Sequence, residues 1–61
     1  MHLEPGDKVR IKETVYESLG YCKEQMELAG QVYEVSHHEG YGIVLKGCDF
    51  AYKPNDLERI D

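Results

Sequence analysis

The segment Tyr41-Gly42-Ile43-Val44-Leu45-Lys46-Gly47-Cys48-Asp49-Phe50-Ala51-Tyr52 decides the reading of this chain. Tyr41, Ile43 and Leu45 alternate, Lys46-Gly47 interrupts them, and Cys48, Phe50 and Tyr52 alternate again. A period of two on both sides of a two-residue glycine turn is the pattern of a β-hairpin with one buried face. Just upstream, residues 31–36 are β-branched and aromatic, and His38-Glu39-Gly40 supplies a turn. A third strand therefore precedes the hairpin, and the three form a meander. Val32 and Val35 stand three apart, which requires either two partly buried faces or a bulge that re-aims the strand.

Outward from the meander, the two ends of the chain each supply one more strand. Glu4-Pro5-Gly6-Asp7 is a turn that feeds Lys8-Val9-Arg10-Ile11-Lys12, with Val9 and Ile11 on one face and Lys8, Arg10 and Lys12 on the other. At the far end Pro54 cannot continue a ladder. Asn55-Asp56 then makes a turn or a single 3₁₀ step before Leu57 and Ile60 return to the core. Between the first and second strands, residues 13–20 are mixed polar and aromatic and read as a long irregular excursion. Cys22, Met26 and Ala29 follow at i, i+4 and i+7, and Gly30 ends the run. That spacing predicts one or two helical turns over residues 21–29, docked through Cys22, Met26 and Leu28. The expected core is Val9, Ile11, Val32, Val35, Ile43, Leu45, Phe50, Leu57 and Ile60.

Size and charge narrow the function. Sixty-one residues make a single domain, 1–61, near the lower limit for independent folding, and a wide enclosed catalytic cleft is not expected of it. An apolar fraction of 41% and five tyrosines argue for a folded domain rather than a disordered tail. No apolar run is long enough to span a bilayer and no signal peptide is evident, so the expectation is a soluble cytoplasmic protein with no membrane partner. Cys22 and Cys48 are too few for a disulfide framework and read as reduced thiols. A net charge of −5 argues against general nucleic-acid binding, whose affinity comes largely from a basic surface.

Five short strands, a long first connection, a meander and a 3₁₀-like step before the last strand follow the order of an SH3-like barrel, mainly β, with one short helix in the connection after strand 1. The chain resembles the small SH3-like proteins encoded by bacteriophages and prophages of Gram-positive bacteria. The resemblance runs over almost the whole chain: Gly6 to Ile11, Met26 to Leu28, Gly30-Gln31-Val32, Gly40-Tyr41, Phe50 to Tyr52 and Leu57-Glu58. It departs at Tyr52, where those proteins often carry Trp. The resemblance implies a fold and a phage or mobile-element origin, and it brings no catalytic residues and no cofactor.

The chemistry-bearing residues do not converge in sequence. His37 and His38 are adjacent on a strand or turn, so they point to opposite faces. With Cys22 and Cys48 they form a nominal Cys₂His₂ inventory that lacks the close-paired spacing of a zinc site, and no metal site is assigned. Neither cysteine is read as a nucleophile, because both lie in core-type patterns where thiols are inert. Proline-rich peptide recognition is not expected either, since the aromatic groove of peptide-binding SH3 domains needs a tryptophan and this chain has none. What remains is surface. Tyr16, Tyr21 and Tyr33, with Glu17 and Glu24 at the rim, are the candidate partner-binding residues, because the tyrosines exceed what so small a core encloses. The expected function is a non-enzymatic protein-interaction module, the same patch serving as a homodimer interface if the domain self-associates. The alternatives are nucleic-acid contact through Lys8, Arg10 and Lys12, an acidic mimic of DNA that inhibits a host protein, and a small bracing subunit of a larger complex.

Overall fold

In the computed structural model, which describes residues 3–60, five strands form one antiparallel sheet in the order β4-β3-β2-β1-β5. β1 is Lys8–Ile11, β2 Val32–Glu39, β3 Gly42–Leu45, β4 Ala51–Tyr52 and β5 Leu57–Arg59. A 3₁₀ turn at Glu13–Tyr16 and a short helix, α1 (Lys23–Glu27), occupy the connection from β1 to β2, and a second 3₁₀ turn at Pro54–Asp56 precedes β5. The five strands and the short helix are those expected from the sequence.

The central strand β2 bends the sheet. Its first residues pair with β1, Val9 opposite Tyr33, and its last pair with β3, His38 opposite Ile43. Between Val35 and His37 the register slips, so Ser36 is an extra residue on β2. Such a bulge increases local twist and turns the strand. One core then receives side chains from all five strands: Val9 and Ile11, Val35, Ile43 and Leu45, Tyr52, and Leu57. The molecule measures 26 × 23 × 22 Å around this core.

Five residues enter the core, or leave it, against expectation. Val32 is 46% exposed. It stands opposite Arg10 on the outer face, and the bulge comes only after Val35, so Tyr33 and Val35 are the inward pair. Leu3 and Val15 are fully buried although each is a lone apolar residue in a polar stretch. Leu3 is held by the loop around it, where the Glu4 amide donates to Asp7 Oδ2 at 2.9 Å, the Gly6 amide to the Val35 carbonyl at 2.9 Å, and His38 Nε2 hydrogen-bonds the Leu3 carbonyl. Phe50 and Ile60 are only half-buried.

The connections also differ in detail. β2 runs on through His38 and Glu39, and the turn is Gly40-Tyr41, with Gly40 at φ 59°. After β3 the chain turns at Lys46-Gly47 as expected, the Cys48 amide donating to the Leu45 carbonyl at 3.2 Å, but the ladder with β4 begins only at Ala51. The Lys46 amide stays with β2, donating to the Glu34 carbonyl at 2.8 Å, while its ammonium pairs with the Glu34 carboxylate at 2.9 Å. β4 therefore shortens to two residues, and Ile43 faces Tyr52. A two-residue hairpin at Lys46-Gly47 would have placed Ile43 opposite Phe50, and the slip of two preserves parity, so Tyr52 still points inward.

Helix α1 is narrower than predicted; Met26 and Leu28 dock on the core as expected, but Cys22 does not, and Gln25 takes the inward position instead. Cys22 is exposed at its N-terminus, where its sulfur accepts the Gln25 amide while Gln25 Oε1 accepts the Cys22 amide at 3.1 Å. Gln25 is the inward residue. Its Nε2 donates to the Ala51 carbonyl at 2.9 Å, and its own carbonyl accepts the Tyr52 hydroxyl at 2.8 Å, so every polar end of this buried contact is satisfied. Met26, Leu28 and Ala29 pack beside it on the core.

Candidate functional site

The excursion after β1 is built on a buried carboxylate. Asp56, 3% exposed, sits at the end of the second 3₁₀ turn and accepts three hydroxyls from the excursion. Thr14 Oγ1 donates to Oδ1 at 2.6 Å, Ser18 Oγ lies 3.1 and 3.0 Å from Oδ1 and Oδ2, and the Tyr21 hydroxyl donates to Oδ2 at 2.8 Å. The Asp56 carbonyl accepts the Lys12 amide at 2.8 Å, which closes the cluster at the base of the excursion. Burial pushes the Asp56 carboxyl up, but the hydrogen bonds from Thr14, Tyr21 and Ser18 and the Lys53 charge outweigh it and hold the group below its ordinary value.

Lys53 and Tyr21 complete the support. The Lys53 amide donates to the Tyr21 oxygen at 2.8 Å, its ammonium donates to the Leu19 carbonyl at 2.7 Å, and that ammonium lies 5.5 Å from the centre of the Tyr21 ring. Gly20, at φ 99°, allows the chain to turn there, a backbone conformation that costs a residue with a Cβ. The Tyr21 ring is tilted against Tyr52 with centroids 5.3 Å apart. Burial, opposed by the Lys53 amide and reinforced by the hydrogen bond and charge of Asp56, pushes the Tyr21 phenol up to about 12. Burial likewise raises Tyr52.

Held this way, the excursion presents large apolar side chains to solvent. Val15 is fully buried beneath it, whereas Tyr16 is 58% and Leu19 86% exposed. Glu13 and Glu17 are exposed on either side of Tyr16, and Glu24 and Glu27 are exposed on α1, which packs on the first 3₁₀ turn.

The candidate partner-binding residues thus separate. Tyr16, Glu17 and Glu24 are on the surface. Tyr21 is half-buried with its hydroxyl committed to Asp56 and Lys53, and Tyr33 is half-buried against the core. Leu19 and the Asp56 cluster were not singled out in the sequence. A cue existed, since Thr14, Ser18 and Tyr21 repeat at i, i+4 and i+7 as a stripe of hydroxyls, but nothing local marked Asp56 as their acceptor.

The basic face of β1 is largely matched by neighbours. Arg10 meets the Glu58 carboxylate at 3.4 Å, Lys12 Nζ donates to the Asn55 carbonyl at 3.2 Å, and Lys8 stands in register opposite Glu34. His37 lies 3.4 Å from Glu39 and 3.1 Å from Ser36, both on its own strand. Among the described residues no His, Cys, Asp or Glu cluster is arranged to hold a metal, no pocket opens, and no helix is long and apolar enough to cross a membrane. Both cysteines are free thiols, Cys48 half-buried and Cys22, against expectation, exposed. No family model, curated protein or solved structure matches the chain.

Proposed function

We propose that this protein is a non-enzymatic interaction module on an SH3-like barrel, of the phage or prophage accessory type its sequence resembles, and that it docks a protein partner through residues 13–24. The observation that carries the reading is the contrast within the excursion. Its inner side is fixed by three hydroxyls on a buried carboxylate, while Tyr16 and Leu19 stand in solvent at 58% and 86% exposure. Folding gains little from those two side chains, and a rigid platform lowers the entropy cost of binding. The strand order and the bulge at Ser36 that bends the sheet support the barrel. The matched charges of the β1 face favour a protein over a nucleic acid.

The test is selection of a displayed random-peptide library on the immobilised protein, counter-screened on a Tyr16→Ser, Leu19→Ser double variant. Enriched peptides should bind the wild type and lose binding to the variant, with the variant melting as the wild type does. Enrichment of peptides that bind both proteins equally overturns this placement of the site.

A further inference from the structure

The charges around the docking face define its occupant, and this step rests on the reading of the excursion as that face. We infer that Tyr16 and Leu19 receive a cationic segment of a partner protein, in which Lys or Arg flanks a large apolar residue. Four glutamates and one lysine lie between residues 13 and 27, a net −3 of the chain's −5. On the sheet, three acidic side chains are matched: Glu34 by Lys46 at 2.9 Å, Glu58 by Arg10 at 3.4 Å, and Asp7 by Arg59 at 2.8 Å. Glu13, Glu17, Glu24 and Glu27 make no ion pair among the described residues. Lys53, the cation that reaches the excursion from the sheet side, has its ammonium on the Leu19 carbonyl and contributes its charge to Asp56.

Two physical consequences follow. Opposite charge in the partner speeds encounter and fixes orientation, while the apolar contact with Tyr16 and Leu19 supplies the water-excluding centre. A neutral segment would find the same apolar anchors but gain nothing from the four carboxylates, and an acidic one would be repelled by them. Arginine suits the position best, because its planar guanidinium both pairs with Glu17 and stacks on the adjacent Tyr16 ring.

The experiment uses the peptides enriched by the selection above, synthesised with a fluorophore and titrated at rising salt against the wild type, Glu13→Gln/Glu17→Gln, and Leu19→Ser. The expected peptides carry net positive charge beside an apolar residue, and their Kd rises by about tenfold in the double Gln variant and further with salt. All three substituted glutamate and leucine positions are exposed, so thermal melting should match the wild type. If the enriched peptides need Leu19 but are neutral or acidic and indifferent to salt, the charge inference is wrong and the docking face stands. If positively charged peptides bind Leu19→Ser as tightly as the wild type, they are attracted to an acidic protein in general, and the inference fails. If the enriched peptides bind the Tyr16→Ser, Leu19→Ser variant as tightly as the wild type, both readings fall together.

Discussion

Asp56→Asn tests whether a single buried carboxylate holds the excursion. The asparagine keeps one oxygen and replaces the other with an NH₂ group that donates hydrogen bonds but cannot accept them. Placed with its oxygen at the Oδ1 position, it still receives Thr14, now without charge, and loses the Tyr21 bond made at 2.8 Å to Oδ2 and half of the Ser18 contact. Hydrogen bonds to a charged group contribute roughly 1.5–3 kcal/mol and neutral ones about 1, so the substitution should cost on the order of 3 kcal/mol. A domain of 61 residues has only about 3–9 kcal/mol in total. Thermal unfolding at neutral pH should therefore shift down by roughly 12–24 °C. Hydrogen exchange adds the location: the amides of Val15, Glu17 and Ser18, which are bonded within the first 3₁₀ turn, should gain more exchange than those of β1–β3. The pH dependence follows from the lowered Asp56 value. Its contribution is fully present above the ordinary carboxyl value of 3.8 and is lost as pH falls through the lower folded-state value, so the gap between wild type and variant should be constant near neutrality and close in acid below that point. An unchanged melting temperature would refute the account, as would a drop in which the excursion amides are no more exposed than the sheet.

Two further predictions concern the sheet and the tyrosine contact. A Cβ on Gly42 would lie 2.9 Å from the Ala51 Cβ, so Gly42→Ala should displace β4 and cost about 1–3 kcal/mol. Ala51→Gly should restore most of that loss in the double variant, and strictly additive effects in chemical denaturation would show that the two positions do not clash. Tyr21 is neutral in the folded state up to about 12, against an ordinary value of 10.0. Its raised value means that this contribution is fully present below pH 10 and is lost as pH rises from there to about 12. Stability measured by denaturant should fall over that range, and Tyr21→Phe should fall less steeply, while equal slopes would show that the phenol is not held neutral by the fold.

The strand pattern was legible because it is local. Alternation around Ile43 and Leu45, the break at Pro54 and the stop at Gly30 each depend on backbone sterics and on one face being buried, and all three appear in the structure. The surface exposure of Tyr16 and Glu17 was legible because they lie in a polar segment with no apolar period, and that of Glu24 because it falls between the apolar positions of the helical run. What tertiary structure alone decided was pairing across distance. Whether Val32 or Tyr33 faced inward depended on where the bulge fell, and that position emerges only when β2 is matched to two different neighbours. The length of the β3–β4 loop depended on Lys46 remaining bonded to Glu34, twelve residues upstream. Asp56 was the largest surprise, because the hydroxyls that make its burial tolerable come from the other end of the chain, and a carboxylate reads as solvent-facing until its donors are brought to it. Local sterics therefore determined the elements, while the register of those elements and the long-range satisfaction of buried polar groups determined which residues the excursion turns inward and which it leaves exposed.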